Sequence, residues 1–139
     1  MPSPQVVIDT NVVYTALHSQ RGLSFRLIDD FMTGKASWKW NISNSCMLEY
    51  EEVLVRATIP LEIVTAFLAD LVNRATPIWI PSNLRPIALD PDDDIFAELA
   101  LAAGADYLVT FNVQHLSPVR RFGIAVVTPA EFHKIIERQ

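Results

Sequence analysis

Three acidic positions stand where the sequence predicts that a β-strand ends and a helix begins. Asp9 follows the apolar run 6–8, Glu49 lies in the early turns of a predicted helix, and a third group of acids spans 90–94. Because the carboxyl ends of parallel strands meet at one edge of an α/β sheet, we expect these acids to lie close together. Carboxylates without histidine or cysteine favour hard cations such as Mg²⁺ or Mn²⁺. A cation held in this way activates water against a phosphodiester, so the pattern predicts nucleic-acid hydrolysis.

Each acid also has a structural interpretation without a catalytic role. Asp9 could be a turn residue or the cap of the helix that follows it. Glu49 could belong, with Glu51 and Glu52, to the solvated face of a helix. The run 90–94 could simply cap a surface helix. None of these interpretations explains why all three positions fall at strand-to-helix junctions on the same predicted edge.

Strand and helix signals alternate along the chain. Strands are predicted at 5–8, 38–42, 107–109 and 124–127, and helices at 12–18, 24–33, 45–55, 60–73, 93–103 and 129–138. A short apolar segment at 77–80 lies between prolines, and a loop containing Pro118 is expected after the strand at 107–109. This order predicts a three-layer α/β/α sandwich with a mostly parallel central sheet.

The composition predicts one folded domain covering 1–139. Half of the 139 residues are hydrophobic, and no stretch approaches the roughly 20 apolar residues of a membrane span. The start lacks the pattern of a signal peptide, so a cytoplasmic location without membrane association is expected. The net charge of −5 argues against a broad basic surface for nucleic acid. Basic side chains that could still line a groove are Arg21, Arg26, Lys35, Lys39, Arg120 and Arg121.

Several other chemistries lack the residues that they need. The three histidines are too far apart in sequence to predict a zinc site. The single cysteine, Cys46, is expected to be a small buried hydrophobe. The four glycines form no phosphate-binding loop, so a nucleotide cofactor is not expected. Trp38 and Trp40 could stack on bases, but their shared strand face favours packing in the core.

In these motifs the sequence resembles the PIN domain family, and within it the branch of VapC-like bacterial toxins. The matching segments are 6–12, 42–43, 48–54, 90–94, 105–112 and 126–132, in the order of the family. Each motif is short, but the ordered set is fairly specific and covers nearly the whole chain. The resemblance implies a compact α/β/α fold and Mg²⁺- or Mn²⁺-dependent ribonuclease activity. It also implies RNA as substrate, and a cognate antitoxin and a second copy of the chain as candidate partners.

The resemblance further implies a set of cation ligands. These are Asp9, Glu49 and Asp93, with Asp92 or Asp94 as alternatives because the run of acids leaves the register open. The three carboxylates would together hold one Mg²⁺ or Mn²⁺ ion.

A fourth position of the family's site departs from the usual pattern. Asn112 stands where the family often has aspartate after a threonine, here Thr110. The missing charge implies that a second cation would be held less firmly. Thr110 is expected to support the site, and Asn11 would orient Asp9 or a bound water.

Two other functions stay open. The first is a PIN-fold binding protein with little nuclease activity that acts through a partner, with which Asn112 and the acidic composition agree. The second is another Mg²⁺-dependent phosphohydrolase, such as a phosphatase of the haloacid dehalogenase type. The Asp-x-Asp pattern of such phosphatases is absent, since the chain has Asp9-Thr10-Asn11. A metal-dependent RNA cleavage assay separates the three functions.

Overall fold

Five parallel strands form the centre of the fold in the part of the chain that the structure describes. A computed structural model describes residues 2–81 and 95–138. The strands are β1 (Gln5–Ile8), β2 (Lys39–Ile42), β3 (Thr76–Pro77), β4 (Tyr107–Val109) and β5 (Ala125–Val127). Their order is β3-β2-β1-β4-β5, and every neighbouring pair is parallel. The central strand β1 therefore ends at the same edge as β2 on one side and β4 on the other.

Helices connect the strands and pack on both faces of the sheet. They are α1 (Thr10–His18), α2 (Leu23–Met32), α3 (Asn44–Arg56), α4 (Leu61–Arg74), α5 (Ile95–Ala103), α6 (Val113–Leu116) and α7 (Pro129–Glu137). The predicted α/β/α sandwich with a parallel sheet is confirmed. Among the described residues, no helix has the length and apolar character needed to cross a membrane.

One predicted connection is wrong. The segment after β4, expected to be a loop, forms the short helix α6 and a 3₁₀-helix at Ser117–Phe122. Both elements are too short to display a helical repeat of apolar residues. Pro118 lies at the start of the 3₁₀-helix, where its missing N–H and fixed φ are tolerated. Its presence was therefore compatible with a helical turn.

Trp40 of β2 and Trp38, which lies just before this strand, form the aromatic centre of the core. Trp40 is fully buried and Trp38 is 4% exposed, which confirms that both pack inside. Aromatic rings from four helices contact them, namely Phe31 of α2, Tyr50 of α3, Phe67 of α4 and Phe132 of α7. These contacts fix α3, which carries Glu49, against the sheet.

Helix α3 begins at a reciprocal cap directly after β2. The Ser43 hydroxyl accepts a hydrogen bond from the Cys46 amide, and the Cys46 sulfur accepts one from the Ser43 amide, both at 3.2 Å. The predicted burial of Cys46 is confirmed, and burial raises the pKa of its thiol. The cap fixes the position of the first turn of α3. It therefore also fixes the distance between the sheet edge and Glu49, which lies further along the same helix.

Candidate active site

Asp9 is the first residue after the central strand, and it is buried, with 8% of its surface exposed. Its amide donates to the Val109 carbonyl of β4 at 2.9 Å, and its own carbonyl accepts from the Val12 amide in α1. Although Asp9 occupies the N-cap position of α1, its side chain makes no capping hydrogen bond to that helix. The helix-cap interpretation therefore does not account for the carboxylate.

Thr110 holds the carboxylate of Asp9. This threonine is fully buried directly after β4, and its hydroxyl donates to Asp9 Oδ2 at 2.7 Å. The same hydroxyl oxygen accepts a hydrogen bond from the Asn112 amide at 2.8 Å. A hydroxyl has only one proton to donate. Because the Asn112 amide donates to the hydroxyl oxygen, the hydroxyl proton remains available for the carboxylate. The structure thus places Thr110 beside Asp9 in an orienting role.

Glu49 reaches the same region from α3. Its Oε2 accepts the hydroxyl proton of Thr10 at 2.7 Å, and Thr10 is the residue after Asp9. Among the described residues, none donates a hydrogen bond to the other oxygen, Oε1. By contrast, Glu51 and Glu52 are exposed, and Glu52 pairs with Arg56 one turn later. Of the three glutamates, only Glu49 is turned toward the end of β1.

The two asparagines of the predicted site lie in the loops on either side of it. The Asn11 side-chain oxygen accepts a hydrogen bond from the Phe111 amide at 3.3 Å, which ties the loop after β4 to α1. Asn112 is exposed, and its backbone amide rather than its side chain contacts Thr110. The structure therefore gives Asn11 a loop-anchoring contact in addition to its predicted role near Asp9.

The predicted third ligand, Asp93, and its alternatives Asp92 and Asp94 lie outside the described residues. Within 2–81 and 95–138, no three His, Cys, Asp or Glu side chains gather into a metal site. Asp9 and Glu49 supply oxygen donors only, which fits Mg²⁺ or Mn²⁺ better than zinc or copper. The ligand set with three carboxylates stays a prediction, and its two described members fit a hard cation.

Two residues near the site were missed as such from the sequence. Thr10 was quoted only as part of the first motif, yet it contacts Glu49. Tyr50 was expected only as part of the motif 48–54, yet its hydroxyl donates to the Ile8 carbonyl at 2.5 Å and accepts from Trp40 Nε1 at 3.3 Å. Burial raises the pKa of Tyr50 well above its ordinary value, so the hydroxyl keeps its proton for Ile8. The sequence carried one indication of this role: Tyr50 directly follows Glu49 and lies on the inward face of the predicted helix.

We expect Tyr50→Phe to lower the free energy of unfolding by about 1–3 kcal/mol, since the buried Trp40 N–H loses its acceptor. The measurement is urea unfolding followed by circular dichroism. Tyr14→Phe is the matched control, because the Tyr14 ring stacks on His18 and its hydroxyl has no hydrogen-bond partner among the described residues. A loss of equal size in both variants would contradict the assigned role of the Tyr50 hydroxyl.

Known proteins match the chain in sequence and in fold. The sequence model of the PIN domain family matches residues 5–114, a range that includes all the predicted site residues. One chain of the crystal structure of VapBC2 from Rickettsia felis bound to a DNA fragment from their promoter is similar, with a TM-score of 0.60 and 14% identity. The match covers 89% of this chain and 98% of that chain, and it concerns the fold alone. No curated protein matches the chain. Because the family model spans well over half of the sequence, the chain belongs to the PIN domain family.

Proposed function

We propose that this PIN domain is a Mg²⁺- or Mn²⁺-dependent endoribonuclease. The observation that carries the proposal is the buried Asp9 carboxylate at the end of the central strand, oriented by Thr110 and next to the Thr10–Glu49 pair. Burying a carboxylate is unfavourable unless charge and hydrogen bonds compensate it. A bound cation would add charge compensation to the hydrogen bond from Thr110. Membership of the PIN domain family supports a nuclease over the other phosphohydrolases.

Asp9, Glu49 and Asp93 would hold the cation. When bound, it would supply charge neutralisation at the scissile phosphate and lower the pKa of an attacking water. Thr110 and Thr10 each fix one carboxylate oxygen at 2.7 Å, so the acids are oriented before any ligand arrives. Asn112 adds no negative charge at the fourth position, which lessens repulsion of the RNA backbone. The proposal includes a cytoplasmic location, since RNA is the proposed substrate.

The test is cleavage of a broad RNA panel by purified, folded protein. We expect hydrolysis with Mg²⁺ or Mn²⁺ and none with EDTA. Folded protein that cleaves no RNA but binds a partner would favour the binding-protein alternative, with which Asn112 and the net charge of −5 agree. Hydrolysis of a small phosphate ester without RNA cleavage would favour the phosphohydrolase alternative.

We also propose that the chain is the toxin of a toxin–antitoxin pair, with a cognate antitoxin protein as partner. The similar Rickettsia felis structure contains a VapBC2 pair, which supports this assignment. In the present chain, an apolar groove of about 460 Å³ lies between α1, α2 and α4. Its lining includes Leu17, Phe25, Met32 and Ile63. Such a groove fits the apolar face of an amphipathic segment.

Acidic residues of the groove favour a basic partner. Asp29, Glu62 and Asp70 are among its lining residues, and only Asp70 has an ion-pair partner among the described residues, namely Arg74. The groove therefore keeps negative charge beside its apolar lining. An antitoxin segment with Lys or Arg flanking its apolar side chains complements it. A second copy of this chain, with its own net charge of −5, matches less well.

We expect Ile63→Asp to abolish co-purification with the proposed cognate antitoxin when the two proteins are co-expressed. The reason is that a new carboxylate in the groove would be desolvated by the bound apolar segment. Val72→Asp is the matched control, because Val72 is a similarly exposed apolar residue of α4 that does not line the groove. Loss of the complex in both variants would contradict the groove assignment. A change from dimer to monomer in Ile63→Asp alone would instead identify a second copy as the occupant.

A further inference from the structure

Phe111 is an exposed aromatic residue in the loop that directly follows Thr110, the residue that orients Asp9. It is the residue between Thr110, which contacts Asp9, and Asn112, which contacts Thr110, and half of its surface is exposed. Single exposed apolar side chains are common on proteins and need no functional explanation by themselves. What distinguishes Phe111 is its position, because its Cα lies one peptide unit, about 3.8 Å, from that of Thr110.

Two hydrogen bonds hold the backbone of the loop that contains Phe111. Its own amide donates to Asn11 Oδ1 at 3.3 Å, and Asn11 belongs to the helix that begins directly after Asp9. The next amide, that of Asn112, donates to the Thr110 hydroxyl at 2.8 Å. These bonds fix the loop relative to the first turn of α1, which begins directly after Asp9. An aromatic ring on a fixed backbone loses little conformational entropy when a ligand stacks on it.

The charge of the chain gives such a ring a specific use. Aromatic side chains stack on unpaired bases, and this interaction does not require a positively charged protein surface. In proteins that bind single strands, such side chains act alongside basic grooves. With a net charge of −5, this chain offers less electrostatic attraction to RNA than basic RNA-binding domains do. Stacking of one base beside the acids would bind the nucleotide and also set its position relative to the cation site.

We propose that Phe111 is a base-stacking residue that selects the nucleotide beside the scissile phosphate. This inference rests on the proposed nuclease function and deepens it. An unpaired base would stack on the exposed ring while the adjoining phosphate lies at the cation that Asp9 and Glu49 are proposed to hold. Because a purine offers a larger surface for stacking than a pyrimidine, a purine is favoured at that position.

The chain offers a matched control in Phe122. This second phenylalanine is exposed to a similar degree, at 45%, and it lies in the 3₁₀-helix rather than in the loop tied to Asp9. The Arg121 guanidinium lies over its ring at 5.1 Å from the centroid, so Phe122 already has a cationic partner. Phe111→Leu and Phe122→Leu therefore remove equivalent rings at different places.

The test compares cleavage of RNAs that each lack one base. The substrates are a single-stranded oligonucleotide that the wild type cleaves and copies of it with one abasic nucleotide near the cleaved bond. In the wild type, loss of one particular base should lower kcat/KM by about 5- to 100-fold, the range for one base–aromatic stack. In Phe111→Leu, the intact RNA should already be cleaved that much more slowly, and loss of the same base should have no further effect. Phe122→Leu should respond as the wild type does, and Phe111→Trp should retain the wild-type pattern.

The possible failures are distinguishable. In one outcome the wild type cleaves RNA, but loss of a base lowers kcat/KM equally in the wild type and in Phe111→Leu. This outcome overturns the stacking role while the nuclease function stands. If Phe122→Leu loses the same base dependence, the effect is not local to Phe111 and the proposal also fails. A wild type that cleaves no member of the RNA panel overturns the nuclease function and the stacking role together. Thermal unfolding of each variant verifies that a lower rate does not reflect a lost fold.

Discussion

Asp9→Asn should lower RNA cleavage by about 100- to 1000-fold or more, because several kcal/mol of charge stabilisation by the cation would be lost. Asparagine keeps the size of aspartate, and its amide oxygen can still accept the Thr110 hydroxyl proton. The fold should therefore persist while the charge proposed to hold the cation is gone. The measurement is the initial rate of RNA cleavage in Mg²⁺ or Mn²⁺, with circular dichroism to verify folding.

Glu52→Gln is the control for the loss of a carboxylate. Glu52 is exposed on α3 and pairs with Arg56, away from the end of β1. The rate of RNA cleavage by Glu52→Gln should stay within a few-fold of the wild-type rate. Cleavage that is unchanged in Asp9→Asn would be inconsistent with the proposed site and would indicate a contaminating nuclease.

Mg²⁺ or Mn²⁺ should raise the thermal midpoint of the wild type by roughly 5–15 °C when its concentration is about 100 times the dissociation constant. Binding only to the folded state gives about 2.7 kcal/mol at that concentration, and a domain of this size converts that free energy into a shift of this order. Carboxylates that converge on one site also repel each other until a cation binds. The measurement is thermal unfolding with and without the cation.

The same titration on Asp9→Asn decides whether the shift comes from the proposed site. With one carboxylate removed, the variant should gain much less stability from the cation. A rise of equal size in both proteins would indicate a non-specific ion effect and would remove support for the site. This experiment needs no RNA, so it tests cation binding separately from cleavage.

Most of the secondary structure could be predicted because its signals are local. The bounds predicted for β1 from its apolar run are those of the structure. The bounds predicted for α2 and α4 from their apolar faces are correct to within one residue. Gly34 and Gly104 have positive φ and stand just after α2 and α5, where glycine ends a helix. The short helix α6 carried no comparable signal, because four residues make barely one turn.

The site was only partly predictable, for a related reason. The position of Asp9 follows from a local rule, since a polar residue at the end of a buried parallel strand marks the edge where ligands bind. The contacts of Thr10 with Glu49 and of Tyr50 with Ile8 join residues about 40 positions apart. They depend on how α3 crosses the end of β1, which is set by the packing of Trp40 and its aromatic neighbours. That packing is a property of the whole core.

The hydrogen bond between Thr110 and Asp9 has a consequence for the order in which the parts of the proposed site are made. The two residues are 101 positions apart, and β4, which precedes Thr110, pairs directly with β1. During synthesis the acid is made 101 residues before the hydroxyl that orients it. Contacts between such distant residues are also among the slowest to form in folding. Under the proposed nuclease function, a nascent chain would thus lack the oriented acid, and would not cut the message being translated, until Thr110 has been made and β4 has paired with β1.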